Sequence, residues 1–195
     1  MKVDRISDDC VELRLGQLEK GAAIDEAMRF YDSLPAVPLD FMLGDWRGRG
    51  LPTNHPLDGL LELARWHGKR FHSYEDVDPL VFPGGGALVA LNPGLMPLAF
   101  GQKHPGLFKN PVSASLFRVF QPLMRTRKPK ARLRMTEYRG VLSATMIYDD
   151  LPICDVFRKV SERIVVGAMD LRDSPQPFLF VLERETEAPP LATRS

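Results

Sequence analysis

Apolar and polar positions alternate with a period of two over most of the last third of the chain. Five segments follow this pattern, at residues 131–139, 141–149, 153–160, 163–171 and 177–185. Turn residues such as Arg139-Gly140 and Asp150-Leu151-Pro152 separate them. Short successive strands joined by tight turns are typical of an antiparallel meander, and we predict one here.

Weaker strand patterns precede the meander. They lie at 69–74, 79–83, 87–92 and 96–100, between Pro and Gly residues. Together with the meander, and with a strand around Trp46, they predict about eight to ten strands. The simplest arrangement of so many sequential antiparallel strands is an up-and-down barrel, which leaves no exposed sheet edge. The fold class is therefore mainly β.

Helical periodicity is confined to a few segments. Residues 21–34 place Ile24, Met28 and Tyr31 on one face, and Pro35 ends the segment. This pattern predicts an amphipathic helix, which we expect to cover the open end of the barrel. Short helices are predicted at 59–67 and within 113–124, at the barrel ends.

A tryptophan among glycines marks the segment before these strands, Gly44-Asp45-Trp46-Arg47-Gly48-Arg49-Gly50. In a strand, Gly44, Trp46, Gly48 and Gly50 share one face. Bare backbone around one indole lets another part of the chain lie directly against that face. This favours a sharply bent first strand of a closed barrel. The alternative is a Gly-rich turn that carries a core tryptophan.

The composition fits one substantial core, with 195 residues of which 44% are hydrophobic. We expect residues 1–35 to form an N-terminal segment on a barrel domain at 36–186, and 187–195 to be a disordered tail. Within the domain, 36–100 form a first half, 101–130 a Pro-rich connection and 131–186 the meander.

Charge and cysteine content exclude several classes of function. The 26 basic and 25 acidic residues leave a net charge of +1, so nucleic acid is not an expected partner. The basic run at 125–134 is interpreted as a solvated connector. A charged N-terminus, two cysteines and the absence of long apolar runs predict no membrane span and a cytoplasmic location.

Six stretches of the sequence are similar to those of a known family. In the first half they are Gly44-Asp45-Trp46-Arg47-Gly48, His55-Pro56-Leu57-Asp58-Gly59 and Trp66-His67-Gly68-Lys69-Arg70-Phe71. In the second half they are Ala131-Arg132-Leu133-Arg134, Tyr138-Arg139-Gly140 and the stretch from Tyr148-Asp149-Asp150-Leu151-Pro152 to Val160. The chain resembles the bacterial GXWXG proteins with the C-terminal domain of unknown function that usually follows the motif. These resemble calycins, the lipocalin-like superfamily. The resemblance implies a barrel and leaves the activity open.

The calycin resemblance also implies a closing contact. In such barrels a late arginine packs across the tryptophan of the first strand. Here Arg184 follows the apparently inward Phe178, Phe180 and Leu182, so Arg184 is the expected partner of Trp46. The alternative is an exposed arginine at a fraying strand end.

A small barrel holds either side chains or one small ligand in its interior. Alternation points Met146, Tyr148 and Phe180 inward. We expect the barrel to bind a small, largely apolar ligand, such as a fatty-acid-like or other hydrophobic carboxylate. A filled core is the alternative. Nothing in the sequence specifies the oligomeric state beyond monomer or homodimer.

Four residues are candidate anchors for the head group of such a ligand. Arg132, Arg134 and Tyr138 share a strand face, and Arg158 lies on a later strand. Arginine with tyrosine can clamp a carboxylate through charge-assisted hydrogen bonds. Salt bridges to Glu137, Asp149 or Asp155 would use the same residues.

An enzymatic function is the alternative to ligand binding. Asp149, Asp150 and Asp155 cluster around a turn, and with His55 they are candidates for acid–base work on a small molecule. A hairpin whose aspartates cap backbone N–H groups explains the same cluster. Asp155 lies in a strand and, if buried, needs an arginine or hydroxyl partner.

Haem binding of the kind found in nitrobindin is a second alternative, with His55 as the candidate ligand. His55 also fits a turn residue held by Asp58, and the last strand carries no histidine that would support the analogy. The histidines and cysteines lack the spacing of a zinc site. The sequence therefore predicts no other cofactor and no metal.

Overall fold

The first β-strand pairs with neighbours on both sides and thereby closes the sheet into a barrel. The computed structural model describes residues 2–96 and 111–186. The strands within these ranges are β1 (Gly44–Gly50), β2 (Gly68–Phe71), β3 (Val77–Pro83), β4 (Leu88–Ala90), β5 (Ala131–Tyr138), β6 (Val141–Tyr148), β7 (Ile153–Lys159), β8 (Ile164–Leu171) and β9 (Phe178–Arg184). The helices are α1 (Lys2–Leu18), α2 (Ile24–Ser33), α3 (Leu39–Met42), α4 (Leu60–Leu63) and α5 (Pro111–Phe120), with 3₁₀ turns at Pro93–Leu95 and Gln121–Met124.

The strand order confirms the predicted antiparallel barrel. The ring runs β1-β9-β8-β7-β6-β5-β3-β2 and returns to β1, with every pairing antiparallel. The short strand β4 pairs with β3 outside this ring. Strands β5 to β9 are the five predicted strands of the meander, each within a few residues of the expected bounds.

Glycines in β1 and β2 allow close contacts that a side chain would block. A Cβ atom added to Gly48 would lie 2.0 Å from the ring of Trp66. A Cβ atom at Gly68 would lie 1.8 Å from the carbonyl oxygen of Trp46. The part of the chain that lies against the bare face of β1 is therefore the indole of Trp66.

Trp46 and Arg184 lie opposite each other in the β1–β9 pairing. The guanidinium of Arg184 is 4.3 Å from the centroid of the buried Trp46 ring. Arg184 also donates hydrogen bonds to the carbonyl oxygens of Leu43, at 2.7 Å, and Phe41. The indole N–H of Trp46 donates to the carbonyl oxygen of Met42 at 2.7 Å. These bonds attach the α3 segment to the barrel.

The N-terminal helices pack against the outer wall of the barrel. The buried face of α2, including Ala27, Met28 and Tyr31, meets outward side chains of β8 and β9 such as Val166 and Val181. Our expectation that this helix covers the open end of the barrel was wrong. Outward apolar positions on β8 and β9 need a cover of their own, and α1 and α2 supply it.

Helix α1 was not predicted from the sequence, because its residues are mostly polar. Three predictions fall outside the described residues: most of the strand at 96–100, the part of the connection at 101–110, and the tail at 187–195. Within the described residues, no helix has both the length and the apolar character needed to cross a membrane.

We expect Gly48→Ala to destabilise the protein by about 2 kcal/mol or more, because the new methyl group overlaps the ring of Trp66. Gly16→Ala is the matched control, since Gly16 lies in α1 with open space around its Cα. There the change should be neutral, or stabilising by up to about 1 kcal/mol. Urea unfolding of both variants measures the difference. Equal stabilities would contradict a steric role for Gly48.

Candidate functional site

The barrel interior contains a cavity with an almost entirely apolar wall. Its volume is about 160 Å³. Helices α4 and α5 and the inward faces of β2, β3, β6, β7, β8 and β9 form the wall. The lining residues are Leu57, Leu60, Leu61, Leu63, Ala64, Trp66, Lys69, Leu80, Phe82, Met96, Ser113, Phe117, Met124, Tyr148, Asp155, Met169, Phe178 and Phe180.

A buried ion pair is the polar part of this wall. Lys69 Nζ lies 2.8 Å from Asp155 Oδ2, and the two side chains are 3% and 1% exposed. Lys69 Nζ also donates to the carbonyl oxygen of Pro79 at 3.2 Å and to the hydroxyl oxygen of Tyr148 at 3.4 Å. An ammonium group has three N–H donors. Two of them donate to Pro79 and Tyr148, and the third is left for the neighbouring carboxylate or for a ligand.

Aromatic rings surround the lysine. Nζ lies 5.4 Å from the ring centroid of Trp66, 5.6 Å from that of Tyr148 and 5.0 Å from that of Phe180. Ring faces attract a cation, and this attraction offsets part of the cost of removing it from water. The indole N–H of Trp66 is buried and has no hydrogen-bond partner among the described residues. It is a donor that an acceptor on a ligand would satisfy.

Burial shifts the ionisation of all three polar side chains toward their neutral forms. It lowers the pKa of Lys69, and the neighbouring Asp155 opposes that change. It raises the pKa of Asp155, against the influence of Lys69. Burial also raises the pKa of Tyr148 well above its usual range, and Asp155 raises that pKa further. The charge of each partner thus opposes the effect of burial on the other, and the pair has no net charge.

Some of the residues predicted to face the interior line this cavity. Tyr148 and Phe180 form part of its wall, and Met146 is buried in the same core without lining the cavity. Asp155 also lines the cavity and is buried, the case in which we expected an arginine or hydroxyl partner. Its ionic partner is a lysine, with the hydroxyl of Tyr148 nearby, and not an arginine.

The four predicted head-group anchors lie on the outer face of the barrel. Their strands alternate so that Leu133 and Phe157 point inward, and the neighbours of these residues therefore point outward. Arg132 is exposed, and Arg134 pairs with Glu75 at 2.7 Å. The proposed clamp was therefore wrong.

The other two anchors lie on the same outer side, next to α2. The rings of Tyr138 and Tyr31 pack edge to face, with centroids 6.4 Å apart. Arg158 is buried against the ring of Tyr31 and donates to the carbonyl oxygen of Tyr138 at 3.1 Å. The alternation of side chains along the strands explains why these two residues lie outside the cavity. One face of each strand is covered by α2 and the other faces the core.

The predicted acid–base cluster is not assembled either. Asp149 and Asp150 are exposed at the β6–β7 turn, where Asp150 pairs with Lys130 at 2.8 Å. His55 is buried next to Phe178, and its Nδ1 accepts a hydrogen bond from the backbone N–H of Leu57 at 3.1 Å. His55 does not line the cavity. Of the four candidates, only Asp155 is among the described lining residues of the cavity, since the turn directs the other two aspartates into solvent.

The residues of the site do not fit a haem group. A porphyrin is several times larger than the roughly benzene-sized molecule that a cavity of about 160 Å³ holds. No histidine is among the lining residues of the cavity. Within residues 2–96 and 111–186, no cluster of His, Cys, Asp and Glu has a composition and geometry suited to a metal ion.

Sequence reasoning missed Lys69, the central residue of the site. A strand was predicted at 69–74, and its alternation puts Lys69 on the same face as Phe71. Phe71 belongs to the core, so parity alone would have pointed Lys69 inward. A lysine that shares a face with buried aromatic residues is the signal that identifies it.

The closed antiparallel barrel around an apolar cavity defines a calycin-like protein. Two family models match the sequence, "GXWXG protein" at residues 29–86 and "Domain of unknown function (DUF4334)" at residues 129–184. The chain therefore belongs to the family of GXWXG proteins that contain this domain.

A protein from Thermomonospora curvata, known from its crystal structure, is 32% identical to this chain. The match covers 90% of this chain and 98% of that one, with a TM-score of 0.65. Among proteins with curated descriptions, none matches the sequence.

We expect Lys69→Met to destabilise the protein by about 3–5 kcal/mol, because Asp155 is left buried without its cation. The double variant Lys69→Met/Asp155→Leu should recover most of this loss, since it removes both charges. Lys130→Met removes the cation of the exposed pair with Asp150 and should cost less than about 1 kcal/mol. Urea unfolding measures all three. A double variant as unstable as the single variant would contradict this energetic coupling.

The stability of Lys69→Met should also fall as the pH rises. Burial raises the pKa of Asp155 in the folded state, above the value of about 3.9 of an unfolded aspartate. Between these two pKa values the folded protein keeps a proton that the unfolded chain has released. The free energy of unfolding then falls by up to about 1.4 kcal/mol per pH unit. Unfolding at about pH 5 and at about pH 8 tests this, and a slope equal to that of the double variant would refute it.

Proposed function

We propose that the protein binds one small, largely apolar molecule inside the barrel, with a single neutral polar group against Lys69, Asp155 and Tyr148. The observation that carries this proposal is the cavity, whose largely apolar wall brings Lys69, Asp155 and Tyr148 together at one place. Binding sites for small molecules typically combine an apolar wall with a few convergent polar groups.

The volume of the cavity limits the size of the ligand. An engineered apolar cavity of about 150 Å³ stays dry and binds benzene. The cavity here is about 160 Å³, which suits one ring or a short alkyl chain with a small substituent. A long-chain fatty acid does not fit into this volume.

The charge balance favours a neutral ligand over the carboxylate that we expected from the sequence. Lys69 is already paired with Asp155, so the net charge of the site is zero. A carboxylate would bring an unpaired negative charge close to Asp155, which is costly in an apolar interior. A carbonyl or hydroxyl group can instead accept from Lys69 or Trp66, and a hydroxyl can donate to Asp155.

Binding of three neutral probes tests this proposal: benzyl alcohol, cyclohexanol and 1-hexanol. We expect ligand-observed NMR to detect binding to the wild-type protein. Ala64→Phe should weaken it at least about tenfold, because a benzyl side chain at this lining position fills the cavity. Ala23→Phe, at an exposed position before α2, is the matched control and should bind as the wild type does.

Benzoate and benzylamine complete the experiment as charged relatives of benzyl alcohol. Each should bind at least about tenfold more weakly, because the described lining residues offer neither charge a free counter-ion. Tight binding of benzoate would contradict the requirement for a neutral ligand. Failure of all three neutral probes, or equal binding by Ala64→Phe, would overturn the proposal itself.

A further inference from the structure

We propose that Lys69 is a covalent site, whose amine forms an imine with a small apolar aldehyde or ketone held in the cavity. Lys69 lines the cavity, and its Nζ lies beside the lining rings of Trp66, Tyr148 and Phe180, which puts the amine near a carbonyl group bound there. This inference rests on the proposed binding of a small apolar molecule. It specifies the chemical class of that molecule as a carbonyl compound.

Lys69 and Asp155 together supply what imine formation needs. The reaction requires an uncharged amine as nucleophile and an acid that protonates the departing hydroxyl group. A proton shift across the 2.8 Å contact converts the ion pair into an amine and a carboxylic acid. No net charge is created by this shift, and burial favours the neutral pair on both sides.

Lys69 and Asp155 supply the nucleophile and every proton that the reaction needs. The electron pair on Nζ attacks the carbonyl carbon, a C–N bond forms, and one proton moves from nitrogen to the former carbonyl oxygen. Asp155 then gives its proton to this hydroxyl group, the C–O bond breaks, and water leaves. One amine, one carboxylic acid and one carbonyl compound thus become an iminium ion, a carboxylate and one water molecule.

The site stabilises the product of this step. The positive iminium nitrogen stays beside the Asp155 carboxylate and among the rings of Trp66, Tyr148 and Phe180, where the ammonium was before. The apolar wall keeps the concentration of water around the iminium low, which disfavours the reverse reaction. Surface lysines such as Lys130 also have a carboxylate partner, but their ion pairs face solvent and no apolar wall encloses them.

Reductive trapping tests this inference. The protein is incubated near neutral pH with benzaldehyde and sodium cyanoborohydride, which reduces an iminium ion to a stable secondary amine. We expect intact-mass spectrometry to show one benzyl group per chain early in the reaction, and peptide mapping to place it on Lys69. Labelling of Lys69 should be at least about tenfold faster than that of Lys130 or Lys159, whose ion pairs with Asp150 and Glu162 lie at the surface.

Two variants separate the possible outcomes. Lys69→Met/Asp155→Leu keeps an uncharged, apolar wall and should lose the early label, whereas Ala64→Phe keeps the lysine and should lose it because the cavity is filled. Early labelling spread over the surface lysines, or unchanged labelling of Lys69 in Ala64→Phe, would overturn the inference.

If benzyl alcohol binds the wild-type protein and Lys69 is not labelled, the covalent step fails and the proposed binding function stands. If benzyl alcohol does not bind and Lys69 is labelled, the covalent step stands and the proposed binding of neutral alcohols fails.

Discussion

The close approach of Trp66 to Gly48 is the constraint on which both the barrel and the site depend. The indole occupies the space that a Cβ atom of residue 48 would need, so this strand can carry no side chain there. On one side Trp66 lies against β1, the strand that completes the ring between β2 and β9. Trp66 also forms part of the cavity wall and contributes one of the rings around Lys69. The glycine motif therefore positions the wall of the site as well as closing the barrel.

The Lys69–Asp155 pair is costly to bury, and this cost bears on its role. Replacing a buried ion pair by well-packed apolar residues is often neutral or stabilising. The barrel has many apolar residues around the pair, so stability alone does not call for two charges there. The cavity next to the pair supplies a different reason, because only a polar group at that place can orient a ligand in an otherwise featureless wall.

The fold was more accessible from the sequence than the site was. Alternation in the last third fixes five strands and their antiparallel order, because each strand is short and each turn is marked by Gly, Pro or Asp. The same alternation does not say which face of a strand looks into the barrel when both faces are buried. On β7, Asp155 and Phe157 face the cavity side while Arg158 is buried under α2, and the two environments look alike in sequence.

The position of Lys69 was hard to predict for a different physical reason. Lysines are rarely buried without a partner, and the partner of Lys69 lies on β7, far along the chain and across the barrel. From the sequence, Asp155 needed a partner if buried, and the arginines on β5 offered a complementary positive charge at a shorter distance along the chain. Those arginines face outward because Leu133, between them, is in the core. Pairing of distant charges becomes visible only once the register of every strand between them is known.

The chemistry of the site follows from how its charge is distributed. A lone buried lysine would favour anionic ligands, and a lone buried aspartate would favour cations. Together the two residues form a dipole in an apolar cavity, which attracts neutral polar groups and disfavours a ligand with a net charge. An aldehyde or ketone matches this environment closely, since it is neutral, accepts a hydrogen bond and carries an electrophilic carbon. In the same place a neutral amine is nucleophilic, so the feature that selects the ligand is also the one that can react with it.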